Sequence, residues 1–243
     1  VSCFPFYRWA SVHGQLVFGR VVGKDKTCER QTQGIDRRTN NKKQNGSLAY
    51  KKIDRLQLIL GFYHFNNGLR RVLGYRRVPI LMYHSVGGPI LSRYNLSVDA
   101  FTSQMEFLSN HYRFVRLKDI PRQLKNYNTK NPKLPVVITF DDGYRDLYEH
   151  VHPIMEALRI PYTVFIPTAY IQSSGSYDNE NLPMLSVREI LELSGSDLVD
   201  IGSHTVTHCS LTQLSSSELK EELHQSKEYL ESLLSRPVDM FAY

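Results

Sequence analysis

Two short stretches of this 243-residue chain hold residue types that can do chemistry together. The first is Val136-Val137-Ile138-Thr139-Phe140-Asp141-Asp142-Gly143-Tyr144, an apolar, β-branched run that breaks into two adjacent carboxylates and a glycine. A strand buried on both faces accepts such a run but has no use for Asp-Asp in its body. The pair therefore belongs at the strand's C-terminal end, where parallel α/β folds bind their ligands. Gly143 lets the backbone turn sharply there. Neighbouring side chains diverge at a strand end, so the two acids can do different work. One can ligate a metal while the other takes a proton from water. Asp-Asp-Gly is also ordinary turn chemistry, so this stretch alone leaves both readings open.

The second stretch is Val199-Asp200-Ile201-Gly202-Ser203-His204-Thr205-Val206-Thr207-His208, again a short apolar segment ending in a glycine and polar residues. His204 and His208 are four apart, and on a helical turn that spacing puts both imidazoles on one face. An isolated pair of this kind is more often two solvated or hydrogen-bonded histidines. Two histidines and one aspartate, however, make a three-ligand set that leaves coordination positions open for water and substrate, as a catalytic metal requires.

Together the two stretches resemble the polysaccharide deacetylases of carbohydrate esterase family 4, which include chitin, peptidoglycan and nodulation-factor deacetylases. Thr139-Phe140-Asp141-Asp142-Gly143 is similar to the family's first motif, and Ser203-His204-Thr205-Val206-Thr207-His208 to its second. Val78-Pro79-Ile80-Leu81-Met82-Tyr83-His84 looks like its opening strand, and Phe241-Ala242-Tyr243 like the approach to its third motif. The resemblance runs from about Val78 to the end.

The resemblance implies that Asp142, His204 and His208 hold a divalent metal. Zn²⁺ is favoured by the ligand types, with Co²⁺, Ni²⁺ or Mn²⁺ as alternatives. It implies that Asp141 is the general base and that the substrate is an N-acetylated polysaccharide or oligosaccharide, giving acetate and a glucosamine unit. His84 and Tyr144 are candidate pocket residues; a core or supporting role suits His84 equally, and Tyr144 is a poor oxyanion donor. The family's later motifs supply an oxyanion donor and a histidine acid. The sequence stops at Tyr243, before both, so no general acid is expected in this chain. Phe241 stands where many members carry an arginine, which leans toward the branch acting on poly-β-1,6-N-acetylglucosamine. Two other readings stay open: an O-acetyl esterase of the same fold, and an inactive carbohydrate-binding fragment. Family members work on extracellular or envelope glycans, although no clear signal peptide marks this chain and a cytoplasmic place is the alternative.

The elements that must position these residues follow from local pattern. Ile80–Tyr83 is an expected strand, with His84 at its end. Ser97 to Asn110 reads as a helix with Phe101, Met105 and Leu108 on one face, then a short strand at Phe114-Val115 and a helix over Leu117–Leu124. Pro132 and Pro135 are expected to bracket the turn into the Asp-Asp strand. Asp146–Leu158 reads as a helix that Pro153 bends or interrupts, with Leu147, Val151, Ile154, Met155 and Leu158 inward. Tyr162–Ile166 is a strand, and 172–181 a polar loop. Ser186 and Glu189 form a capping box. Leu198–Ile201 is the strand that delivers the histidines. A last helix opens at Ser215-Ser216-Ser217-Glu218 and runs to about Leu234, with Leu219, Leu223, Leu230, Leu233 and part of Tyr229 buried. A strand is expected over Val238–Tyr243. Strands alternating with helices imply a parallel sheet. Among such folds the resemblance selects a distorted, incomplete (β/α) barrel, usually of seven strands.

Charge divides the chain. Residues 1–79 hold 16 Lys/Arg against 4 Asp/Glu, and residues 80–243 hold 14 against 20, within an overall net charge of +6. The expected organisation is a basic, poorly structured extension over 1–77 and a catalytic domain over 78–243. The mildly acidic catalytic part gives no reason to expect a nucleic-acid partner. Residues 1–46 are expected to be loose, and read either as upstream sequence translated as protein or as a fragment boundary. Basic residues at Lys51, Lys52, Arg55, Arg70, Arg71, Arg76 and Arg77 flank a short amphipathic stretch around 56–63, which reads as a solvated helix or as a weak contact with an anionic membrane surface. That stretch is too short to span a bilayer. Cys3, Cys28 and Cys209 make no disulfide framework, and Cys209 reads as a packing residue rather than a fourth ligand.

Overall fold

The computed structural model describes residues 78–88, 95–126, 133–171 and 182–243, with the backbone of 11–12 and 15–16, which pair antiparallel. Apart from those four positions, the expectations for 1–46, for the basic amphipathic stretch, for Pro132 and for the 172–181 loop lie outside the described residues.

The chain is an α/β protein with a parallel sheet. β1 (Ile80–Tyr83) is followed by a two-residue parallel pair, β2 (Ser85–Val86) and β3 (Asn95–Leu96). Then come α1 (Val98–His111), β4 (Tyr112–Phe114), α2 (Ile120–Lys125) and β5 (Leu134–Phe140). The rest is α3 (His152–Ala157), β6 (Tyr162–Ile166), α4 (Val187–Ser194), β7 (Val199–Ser203) and α5 (Ser216–Leu234). Five strands form the main sheet in the order β1-β5-β6-β7, with β4 pairing the first half of β5. All these pairings are parallel, and Ile80 to Tyr83 match Val137 to Phe140 in register.

All seven residues of β5 are buried, as an apolar run covered on both faces requires. Phe140 sits in an aromatic cluster with Tyr83, Phe101 and Tyr162, at centroid separations of 5.5–5.8 Å. Burying each such ring stabilises the fold by about 1.5–3 kcal/mol. Helix ends follow their sequence signals. Ser97 Oγ caps α1 by accepting from Ala100 N–H, and capping boxes at Ser186/Glu189 and Ser215/Glu218 open α4 and α5. Asp200, inside β7, is buried but paired with Arg116 at 3.0 Å and Lys118 at 2.6 Å, which compensates its charge.

Several expectations need correction. Pro135 is not in a turn but inside β5, opposite Arg113. Its nitrogen faces the same edge as that of Val137, which bonds the carbonyl of Pro79; Pro135 thus falls before β1 begins and forfeits no bond with it. The helix after Gly143 starts as a wide turn over Leu147–Val151, closed by His152 N–H to the Leu147 carbonyl, and becomes α-helical just before Pro153. The wide turn accommodates a residue that cannot donate. Tyr229 is 44% exposed, and Leu219, Leu223 and Leu233 are only half-buried. The face of α5 that meets the sheet is narrow, set by Leu230 and by Ser226, whose Oγ pairs with Ser203 Oγ at 2.8 Å.

Val238–Tyr243 is not a strand. It makes one parallel bridge, Phe241 with Ser203, through Ser203 N–H to Met240 O and Ala242 N–H to Ser203 O. The ladder stops because β7 ends at Ser203 and Thr205 turns to φ 68°. Among the described residues, no helix is long and apolar enough to cross a membrane.

Candidate metal centre

Three strand ends converge at one end of the sheet. Asp141 and Asp142 follow β5, His204 follows β7, and His84 follows β1. Asp141 continues the ladder for one more bond, its N–H donating to Tyr83 O at 2.9 Å. Asp142 and Gly143 then both enter the left-handed region, at φ 75° and 68°. A non-glycine residue held there is strained, and such strain clusters at functional positions. The sequence pointed to a turn at Gly143, with Asp-Asp-Gly as ordinary turn chemistry; the structure carries the left-handed backbone back to Asp142.

Asp142 Oδ1 lies 3.4 Å from His204 Nε2 and 3.5 Å from His208 Nε2, and the two Nε2 atoms are 3.0 Å apart. His204 Nδ1 lies 2.9 Å from the carbonyl of Ala242. A carbonyl only accepts, so Nδ1 carries the proton and neutral His204 turns a lone pair on Nε2 toward the centre. Asp142 Oδ1 is buried and has no hydrogen-bond partner among the described residues. Acceptors therefore converge on one point from the Asp142 and His204 sides, with His208 Nε2 facing the same point. Buried acceptors in that arrangement call for a cation. For metal bonds of ~2.0–2.2 Å in tetrahedral geometry, ligand atoms stand roughly 3.3–3.6 Å apart; both Asp142–histidine separations fall in that range, and the two histidine nitrogens stand closer, at 3.0 Å. All three ligand atoms lie within 4.8 Å of one another. Cys209, half-buried, is not among them.

The histidines do not sit on a helical turn. Residues 204–208 form an irregular loop in which Thr205 and His208 both have positive φ, 68° and 57°. Helical spacing would bring the side chains together by geometry; here the backbone is folded back and tied. Thr205 Oγ1 accepts from His208 N–H at 2.9 Å. The turn after β6 donates to the loop from outside, Thr168 N–H to Thr205 O and Ala169 N–H to Val206 O. From α5, Glu222 accepts from the N–H groups of Val206 and Thr207 at 2.8 and 2.9 Å and from Thr207 Oγ1 at 2.7 Å. Glu222, Thr205 and the Ala242 carbonyl are supporting groups that sequence reasoning missed. No spacing rule links position 222 to 206, because the link exists only once α5 packs beside β7.

The centre is largely dry. Side-chain exposure is 4% for Asp142 and 3% for His204, rising to 17% for His208 and 19% for His84. Burial opposes the charge on Asp142. The close approach of His204 and the fields of His84 and His208 outweigh it and hold the carboxyl below its ordinary range. His204 moves the other way: burial disfavours its cation, but Asp142, the charge of Asp141 and the Ala242 carbonyl together raise it.

Asp141 is buried and close enough for its charge to act on His204, yet it is not one of the three convergent ligands. His84 Nε2 is 4.0 Å from Asp142 Oδ2, the carboxylate oxygen that the other two histidines do not face. Tyr144 is buried in a small apolar cluster with Leu182 and Met184 and bridges Met184 through its backbone. One turn past Asp142, Asp146 Oδ2 accepts from Ser85 Oγ at 2.5 Å and Val86 N–H at 3.1 Å, tying the segment after His84 to the segment after Asp142.

Fold and centre define the class: a parallel α/β protein with an Asp/His/His ligand set at its strand ends and a second carboxylate beside it. Residues 128–243 match the family model described as polysaccharide deacetylase. It is 30% identical over 162 residues to poly-beta-1,6-N-acetyl-D-glucosamine N-deacetylase of Staphylococcus aureus (strain MRSA252), covering 63% of this chain and 54% of that one. The chain thus spans about half the length of the curated relatives it matches. Among solved structures it is similar to the Streptococcus pyogenes deacetylase PplD in complex with acetate, with TM-score 0.58, 26% identity, and coverage of 69% of this chain and 74% of that one. It is also similar to IcaB from Ammonifex degensii, with TM-score 0.56, 25% identity, and coverage of 68% and 73%.

Proposed function

We propose that the chain is the deacetylating part of a metal-dependent polysaccharide N-deacetylase, with residues 78–243 as its catalytic unit. The observation that carries this reading is the convergence of Asp142 Oδ1, His204 Nε2 and His208 Nε2, with Asp141 next in sequence and outside that set. The substrate is a polymer containing N-acetylglucosamine; the name of the Staphylococcus aureus relative supports the β-1,6-linked form. Such a polymer places the protein's work on the outer side of the cell.

Asp142, His204 and His208 would hold one divalent ion. Two nitrogens and one oxygen suit Zn²⁺ first, with Co²⁺, Ni²⁺ and Mn²⁺ also admissible. When bound, the ion lowers the pKa of water and polarises the acetamide carbonyl. Asp141 takes the proton from the attacking water, a role that a carboxylate near the ligands but not committed to them can fill. The Ala242 carbonyl keeps the His204 tautomer, and the drying of the centre strengthens every charge in it. Water oxygen adds to the acyl carbon, the carbon–nitrogen bond breaks, and the nitrogen must gain a proton before it leaves as an amine. Acetate and a glucosamine unit are the products. β1 belongs to the unit because it pairs with β5 through Tyr83 and places His84 against Asp142.

The test is acetate release from β-1,6-linked N-acetylglucosamine oligomers in the presence of Zn²⁺ or Co²⁺, beside an O-acetylated sugar. Release from the N-acetyl substrate that stops on chelation is the expected result. Release only from the O-acetyl sugar would make the protein an esterase. Binding of the oligomers without release would make it a carbohydrate-binding module.

A further inference from the structure

The loop 204–208 carries both candidate histidine ligands, but its own sequence does not hold its shape. Two of its five residues sit at positive φ without being glycine, a conformation that persists only when surrounding contacts over-determine it. Most of its contacts are backbone groups meeting backbone or threonine. Its one charged clasp comes from a side chain on a distant element, beside the Tyr170 hydroxyl that donates to Thr207 O. Glu222, on the second turn of α5, engages two consecutive amides and one hydroxyl with its two carboxylate oxygens: Oε2 takes Val206 and Thr207 N–H, and Oε1 takes Thr207 Oγ1. Consecutive amides aimed at one anion form a small nest, and charge-assisted bonds of this kind are the strong ones. Val206 is gripped from both sides, since its carbonyl accepts from Ala169 N–H.

We propose that Glu222 is a positioning residue of the metal centre: its carboxylate clasps Val206 and Thr207 and so keeps His208 against His204 and Asp142. The clasp acts on His208 rather than on His204. His204 follows directly from β7, donates its N–H to Ile166 O and is fixed through Nδ1 by Ala242 O, whereas His208 lies beyond the clasped amides, with its N–H given to Thr205 Oγ1 within the same loop. Without Glu222 two amides would face outward unpaired, and the left-handed turns would lose the contact that best opposes their relaxation. The ion would then meet two firm ligands and one loose one. This inference rests on the proposed role of Asp142, His204 and His208 as ligands.

The experiment is a competition titration of Zn²⁺ against a chromophoric chelator, with Co²⁺ spectra as a second readout. It uses wild type, Glu222→Ala, Glu222→Gln, His208→Ala and the His208→Ala/Glu222→Ala double variant, with Glu228→Gln, an exposed pair of His224 on the same helix, as control. Supporting groups of this kind are worth about 10–100-fold in metal affinity, and Glu222→Ala is expected to lose that much. Glu222→Gln should recover most of it, because its oxygen can still accept the two amides. The double variant should bind no more weakly than His208→Ala, since the clasp has nothing left to position. Equal affinity in Glu222→Ala and wild type would overturn the proposal. So would a loss on top of His208→Ala as large as in the wild-type background, which would mark a general structural effect. Amide exchange on the metal-free protein separates this inference from the site reading. If the wild type takes no ion, yet Val206 and Thr207 lose protection in Glu222→Ala, the ligand reading fails and the clasp stands. Unchanged protection would remove the clasp itself.

Discussion

The two halves of the centre are built by different means. The carboxylate half is an extension of the sheet: β5 is buried along its whole length, and Asp141 still bonds to β1 through Tyr83 O. The histidine half leaves the sheet after His204 and is shaped by a handful of contacts from Thr205, Ala169 and Glu222. The first is rigid because moving it would break the core. The second is held by local polar bonds that can be removed while the core stays whole. Substitutions should therefore separate stability from ion binding, in opposite senses on the two sides.

The largest effect is expected at Asp141. Asp141→Asn should lower kcat for acetate release by about 10²–10⁴-fold, the range for a lost general base, while the ion affinity measured by titration persists. Loss of the ion along with turnover would make Asp141 a ligand and merge the roles of the two acids. Next comes Ile138→Ala, deep in β5. It should cost about 2–5 kcal/mol in denaturant unfolding and leave the ion affinity of the folded protein unchanged. Thr205→Val is the mirror image. It removes the oxygen that accepts from His208 N–H at nearly constant volume, so stability should fall by only about 1 kcal/mol while ion affinity falls by roughly tenfold. If the two variants affected both quantities alike, the division between a sheet-built and a clasp-built half would fail.

A last prediction concerns pH. Burial pushes the Asp146 carboxyl up to about 6, against the opposing pull of its bonds from Ser85 and Val86. Its folded value lies above the ordinary one, so between about pH 4 and 6 the folded protein retains a proton that the unfolded chain has released. Stability falls as pH rises through that window, by at most about 3 kcal/mol. Asp146→Asn should flatten the dependence, as unfolding curves at pH 4, 5, 6 and 7 would report. An unchanged slope would assign it to other groups.

The same contrast explains what the sequence revealed. β5, its acids, and the capping boxes of α4 and α5 were legible because their causes are local: an uninterrupted apolar run, and Ser three residues before Glu. The α/β class followed from the alternation of such segments. That His204 and His208 could meet beside Asp142 was legible from residue type and spacing, but the geometry by which they meet was not. A four-residue spacing suggested a helical turn, whereas the chain reaches the same end by two left-handed residues and a glutamate from α5. Pro135 inside β5 and the unformed strand at 238–243 were missed for a related reason. Whether a strand tolerates a proline, or a segment becomes a strand, depends on which neighbour's edge it meets. Ala242 shows the extreme case, since its contribution is a backbone carbonyl that residue type cannot announce.

The most direct measurement is metal stoichiometry after equilibrium dialysis against Zn²⁺, on wild-type protein and on His204→Ala, whose side chain is buried and points its Nε2 at the centre. One ion per chain in the wild type and none held specifically in the variant is the result that three convergent ligands predict. No specific ion in the wild type, or the same ion count in both, would contradict a metal centre at Asp142, His204 and His208.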